Sequence, residues 1–429
     1  MKLPLAASGL ALGLCAALPA MAGNPVPVDN TQPSLVMTQA FNPTGIFPSQ
    51  GGAGTPGDTL GFVYTFAGNF APGSTFASQG QTVSIAQNIA TFAVIGTQFG
   101  GNGTTNFALP DLSGTAVVGG TPGMQSGSGT IVLAANQIPH GAVTQPFNNA
   151  QPSLALTPLI AASGIYPSQG GAGGTASFIG QLAYFAGNFA PGGWLPADGR
   201  LLPIATNIAL FSILGTQYGG NGTTNFALPN LIGSVAVGAD VAHPLGTSFG
   251  ANATALTTAN LPVGVTPGAP VNNDQSSLAL NYIIATSGLF PSRNGGAGFD
   301  QTAPTIGEVA LFAGDFAPSG WAFADGQALS ISQNIALFSI LGTQYGGNGV
   351  TTFDLPDLQG RTVVGSGSNY SVGTAFGSDS FQLTAANVPP AAVPEPASWL
   401  AMLAGFAGLG GALRRARARA ASCPRRAIL

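Results

Sequence analysis

Charge is scarce in this chain. Asp, Glu, Lys and Arg make up 6% of its 429 residues, against ~25% in an ordinary globular protein. That excludes coiled coils and long helices laced with ion pairs. Lysine occurs once, at Lys2. Between residues 24 and 393 the only basic side chains are Arg200, Arg293 and Arg361, against 13 acids, a net of −10. A body without a basic patch cannot hold a phosphate backbone, so no nucleic-acid partner is expected. Cysteine is confined to Cys15 and Cys423, which leaves the body no disulfide framework and no thiolate metal site. Glycine (64 residues) and proline (33) are abundant but follow no Gly-x-y period, so collagen is excluded. Apolar residues reach 45%, enough for sizeable cores and too many for a wholly disordered chain. A prior of ~150 residues per domain suggests about three domains. What remains is an α+β fold, predominantly β, with Gly/Pro-rich loops and uncharged surfaces.

The two ends read as addresses. Lys2, an apolar run from Leu3 to Leu18 and the small-x-small site Ala20-Met21-Ala22 form a secretory signal over residues 1–22. A lipoprotein signal at Cys15 would want a small residue before it, and Leu14 is not small. At the other end, residues 393–429 carry Pro394-Glu395-Pro396, then Trp399, an apolar run from Leu400 to Leu413 and the basic cluster Arg414 to Arg419. Fourteen helical residues reach only ~21 Å, short of a ~30 Å hydrocarbon core. Trp399 suits one interface, and the arginines hold the cytoplasmic side. This order resembles the PEP-CTERM sorting signal of Gram-negative bacteria. The resemblance implies an exosortase as processing partner and transient insertion of the C-terminal helix in the inner membrane. Delivery to the cell surface or the exopolysaccharide matrix would follow. The plainer alternative is a C-terminal membrane anchor.

The body repeats itself three times. Asn207–Gly222 and Asn334–Gly349 are the same 16 residues, and Asn88–Gly103 shares 11 of them. Upstream of each lie Gln32-Pro33-Ser34-Leu35, Gln151-Pro152-Ser153-Leu154 and Gln275-Ser276-Ser277-Leu278, then Phe47-Pro48-Ser49, Tyr166-Pro167-Ser168 and Phe290-Pro291-Ser292. The modules span 31–146, 150–268 and 273–392. Each is long enough to be expected to fold alone. In the third, strands are expected at Glu308–Phe312, Trp321–Phe323 and Thr362–Val364, with a turn at Asp325-Gly326. Ser330-x-x-Gln333 fits a capping box. The helix it starts would turn Ile335, Leu337, Phe338 and Leu341 to the core and end at Gly342. In the second module Pro203 takes the cap position, so its helix should start differently. Tyr345-Gly346-Gly347-Asn348-Gly349 must be a tight loop. A phosphate cradle is the weaker reading of that loop, because it follows a helix and has no lysine after it.

The set Gly307-Glu308-Val309, Phe312-Ala313-Gly314-Asp315-Phe316-Ala317-Pro318, Gly320-Trp321, Asp325-Gly326, Asn334, Phe338, Gly342-Thr343, Tyr345-Gly346-Gly347, Phe353 and Leu355-Pro356-Asp357-Leu358 resembles the phage tail collar domain. That domain also occurs in bacterial microcystin-dependent proteins, and the Gln275–Arg293 segment is similar to one they carry. The resemblance implies three tandem collar-like modules, each with short strands and one short helix, and a fibre-type structural role. It also implies a homo-oligomer, with a trimer as first expectation. The first module departs most: Thr75 stands for Trp194 and Trp321, and Gln79 for Asp198 and Asp325. Members often carry a Pro-Ala-His-x-His motif after the collar. Here the matching positions read Ile138-Pro139-His140, Leu261-Pro262-Val263 and Val388-Pro389-Pro390. One histidine is short of the three or four ligands a metal needs, so no metal or other cofactor is expected.

Catalysis finds little support. His140 and His243 recur in no other module, and Asp354 with Asp357 becomes Ala227 with Asn230 in the second. A carboxylate pair for a glycan-active hydrolase is thereby lost from the repeat. Trp194 with Asp198 and Trp321 with Asp325 could form stacking platforms for sugar rings. The simpler reading makes the indoles core anchors, with Phe76 replacing them in the first module, and the aspartates turn residues. The sequence thus points to an exported, non-enzymatic surface protein with a structural or adhesive role, and to exopolysaccharide or surface glycans as partners. The alternative is a phage-derived fibre protein that only assembles.

Overall fold

The computed structural model describes residues 28–44, 47–48, 60–73, 75–134, 137–138, 147–167, 178–262, 271–291, 304–369, 371–384 and 386–388. Among the described residues the fold is mostly β, with three seven-residue α-helices at Ile89–Ile95, Ile208–Leu214 and Ile335–Leu341.

Each module contributes five strands to one shared 15-stranded sheet, and three of the five make its ring. The long strand is Ser34–Phe41, Ser153–Ala161 or Ser277–Ala285. These mostly apolar strands are almost wholly buried along their length, polar residues such as Thr38 and Gln39 included, as strands covered on both faces are. An inner strand follows: Phe62–Phe66, Gln181–Phe185 or Glu308–Phe312. A ring strand comes last: Ala116–Gly119, Val235–Gly238 or Thr362–Gly365. The second half of each long strand runs antiparallel to the inner strand of its own module.

The first half of each long strand pairs outside its module. Ser153–Leu156 lies parallel to the first module's ring strand, and Ser277–Leu280 parallel to the second's. Ser34–Met37 lies parallel to the third's, so the order closes into a circle. The inner strands also meet in pairs: Phe62–Val63 with Tyr184–Phe185, Gln181–Leu182 with Leu311–Phe312, and Glu308–Val309 with Thr65–Phe66. The result is a closed, barrel-like sheet with pseudo-three-fold symmetry made by one chain.

The seams demand glycine. A Cβ at Gly119 would lie 2.0 Å from Leu231 O, at Gly238 1.8 Å from Leu358 O, and at Gly365 2.2 Å from Leu112 O. At each seam the next backbone occupies the space a side chain would need.

The modules also share cores. Val94, Ile95, Phe107, Leu109 and Leu112 of the first pack with Leu154, Leu156, Leu159, Phe185 and Trp194 of the second. Leu210, Ile213 and Leu214 of the second pack with Leu278, Leu280, Phe312 and Trp321 of the third. Ile340 of the third reaches Ala40 and Phe66 of the first. The repeats are therefore units of sequence, but their strands and cores interlock. The expectation that each folds alone overlooked the long strand, whose two halves serve two modules.

The strands expected at Glu308–Phe312 and Trp321–Phe323 are present, and the third is Thr362–Gly365. The helix differs from expectation in two ways. A 3-10 turn occupies Ile331–Gln333, and the α-helix is capped by Asn334 without a side-chain bond from Ser330. Instead Asn334 Nδ2 donates to Ser330 O at 3.0 Å, as Asn207 does to Pro203 O and Asn88 to Ser84 O. This tie needs only a carbonyl, and Pro203 sits at φ −70, which proline adopts. The second helix therefore starts as the third does. Ile335 is 67% exposed; two residues before Leu337, it points to the opposite side of the helix.

Candidate functional site

The two indoles belong to the core. Trp194 and Trp321 are each 6% exposed. Trp194 packs on Phe62 with ring centroids 5.0 Å apart, and Trp321 meets Phe178 edge-on at 5.7 Å. Rings so enclosed offer no face to a sugar, which corrects the platform reading for the indoles. The first module does not refill the lost volume with Phe76, which is 37% exposed on its strand. Buried Phe41 and Asn42 stand there where the other modules have Ile160 with Ala161 and Ile284 with Ala285. Larger residues on the neighbouring strand thus accompany the smaller Thr75. Replacing Trp321 by Ala should lower the unfolding free energy by ~3–5 kcal/mol. Asp325→Ala should cost less than about 1 kcal/mol. Urea unfolding of both variants checks this, and equal small losses would contradict the core assignment.

The aspartates shape turns. Asp198 Oδ1 accepts from Arg200 N at 3.2 Å, and Asp325 Oδ1 from Gln327 N at 3.2 Å. Asp198 also takes Arg200 Nε at 2.9 and 3.1 Å. The guanidinium bonds hold its carboxyl below the usual range. Asp325 has Gln327 at the matching position and gains no such cation. Asp325 lines a cleft of about 400 Å³ between the second and third modules, with Asp240, Asp315, Asn281, Phe323 and Gln359.

Other candidates resolve into structure. Asp357 is paired with Arg361 at 2.6 Å and takes Gln359 N at 3.2 Å. Asp357 is thus committed to local contacts rather than to a general acid/base pair with Asp354. His243 stacks on Phe249 at 3.7 Å, with Nδ1 3.5 Å from Asp240 Oδ1. Among the described residues no cluster of three or more His, Cys, Asp or Glu could hold a metal. The Gly-Gly-Asn-Gly loop turns on itself, with positive φ at Gly346, Gly347 and Gly349. Asn348 Oδ1 there accepts from Val350, Thr351 and Thr352 N. His140, the signal residues Ala20 and Ala22, and Pro394, Glu395 and Pro396 with the helix that follows lie outside the described residues. No described helix is long and apolar enough to cross a membrane.

The polar groups that matter most to the assembly went unread in the sequence. Asn30, Asn149 and Asn273 are each no more than 2% exposed. Their Nδ2 groups donate to Ala150 O, Asp274 O and Thr31 O, each in the next module. Two residues on, Gln151 N donates to Gln275 Oε1 at 3.0 Å and Gln275 N to Gln32 Oε1 at 3.2 Å. The signal was an Asn-x-Gln spacing at 30–32, 149–151 and 273–275. Deeper in the barrel, Glu308 is 2% exposed and accepts from Thr305 N at 3.2 Å. Burial pushes its carboxyl up to about 8. At the matching position Gln181 accepts from Phe178 N at 3.3 Å, and Phe62 fills the first module's place.

No curated protein and no solved structure matches the chain. Residues 61–117, 180–236 and 307–363 each match the family model of the Phage Tail Collar Domain. Each match runs from the start of an inner strand into the ring strand of the same module. Three tandem stretches of the closed ring thus each match the phage tail collar domain.

Proposed function

We propose that this is a non-enzymatic structural protein, exported and held in the cell envelope or its polysaccharide matrix. The observation that carries the reading is the three collar-domain matches in one interlocked β-ring. Collar domains belong to a structural phage-tail family. Export rests on the two terminal signals in the sequence. Glycan contact is part of the proposal, and the sparsely charged Gln/Asn/Thr/Ser surface and the cleft beside Asp325 are its support.

The test is fractionation of native cells with mass spectrometry of the protein's two ends. The expected mature chain starts at Gly23 and ends near Pro396. Peptides containing intact Arg425-Arg426 in the extracellular fraction would overturn the sorting signal. Confinement of the protein to the cytosol would overturn the whole proposal.

A further inference from the structure

Three seams hold the ring together, and they are not equivalent. The chain runs directly from the first module into the second and from the second into the third. In a linear chain no segment leads from the third module straight back to the first. That seam is held by non-covalent contacts: Ser34–Met37 against Thr362–Gly365, and Glu308–Val309 against Thr65–Phe66. Asn273 Nδ2 donates to Thr31 O at 2.9 Å, while Gln344 Nε2 and Tyr345 Oη donate to Ala67 O at 3.0 and 2.7 Å.

One strand position compares the seams directly. Phe62 faces Phe185 between modules one and two, and Gln181 faces Phe312 between two and three. Glu308 faces Phe66 between three and one. At this strand position the seam without a direct link is the one that carries a carboxyl group. Glu308 is also the only glutamate between residues 24 and 393.

We propose that the third–first seam is a separable joint, through which the first module of one chain exchanges into the ring of a second copy. Glu308 is the group that loosens it. In the exchanged pair each ring still contains a first, a second and a third module, with every seam contact re-formed. Exchange needs no new surface: the first module leaves both the third–first seam and its seam with the second module, and both re-form in the ring of the second copy. Successive exchange from ring to ring would link copies into open chains.

The surroundings of Glu308 make its ionisation costly. A cavity of about 40 Å³ beside it is lined by Tyr64, Tyr184 and Tyr282 as the other titratable groups. Tyr345 lies at the same seam. Burial raises Tyr184, Tyr282 and Tyr345, so these phenols stay neutral. No cation lines the cavity to compensate a carboxylate. Glu308 holds its proton up to about pH 8 in the closed ring and releases it once the seam opens to water. Opening is therefore favoured as pH rises.

The test uses the full chain, labelled in two batches with different fluorophores, mixed at high concentration at pH 6 and pH 9, then returned to pH 6. Mixed dimers and larger species are expected after pH 9, with exchange about a hundredfold faster than at pH 6. Glu308→Gln should exchange slowly at both pH values. It should also fold, because Gln181 already occupies the matching place. No mixed species after pH 9, or equal exchange by Glu308→Gln and the parent chain, would overturn the proposal. A stable oligomer at pH 6 that never exchanges its chains would do the same.

Discussion

Replacing Glu308 by Gln is expected to stabilise the protein at pH 9 by about 4–5 kcal/mol and to change little below pH 4. In the unfolded chain this carboxyl titrates near 4.5, and in the fold near 8. A raised acid favours folding only while it is protonated in both states. As pH climbs through 4.5 the unfolded chain releases its proton and the folded one does not, so stability falls. The loss continues to about pH 8 and then levels off. Gln keeps the bond from Thr305 N, because an amide oxygen accepts as a carboxyl oxygen does. Urea unfolding of both chains from pH 4 to 9 measures the effect. The difference between them isolates this one group from every other titration. Parallel profiles would show that Glu308 does not hold a proton inside the barrel.

Removing the third module is expected to abolish folding of the other two. A chain ending at residue 262 loses the ring strand that pairs with Ser34–Met37 and the inner strand that pairs with Phe66 and Leu182. It exposes Leu35 and Met37, which cluster with Leu355, Leu358 and Val363, and leaves the edge of a long apolar strand unpaired. Cooperative thermal unfolding should vanish, with aggregation in its place. Residues 31–146 alone should fare no better. Their helix and Phe107 pack on Leu154, Leu156 and Phe185 of the second module. A sharp unfolding transition in either fragment would refute the interlocked core.

The repeat arithmetic, the β class, the strands around Glu308 and Trp321 and the Gly-Gly-Asn-Gly turn were legible in the sequence. Each depends on local chemistry: a glycine with positive φ, an Asp-Gly turn, an apolar run. The collar resemblance was legible for the same reason, since its motif lies within single stretches. Trp194 and Trp321 were legible as residue types but not as positions. Whether an indole faces a sugar or a phenylalanine depends on Phe62 and Phe178 of the preceding module, more than 100 residues away.

Three modules, no catalytic constellation repeated among them, and a body poor enough in charge for its strands to pack without ion pairs can all be read from the residues alone. That the modules form one ring emerges only from the packed fold. A long strand whose halves pair with different modules looks, residue by residue, like any buried strand. Its register against a ring strand some 330 residues away at Thr362–Gly365 leaves no local mark. The same holds for Glu308. As a letter it is one of 14 acids. Burial at the one seam the chain does not cross directly is what gives it a proton to keep and a joint to control, because the cost of its charge is set by the water the fold excludes.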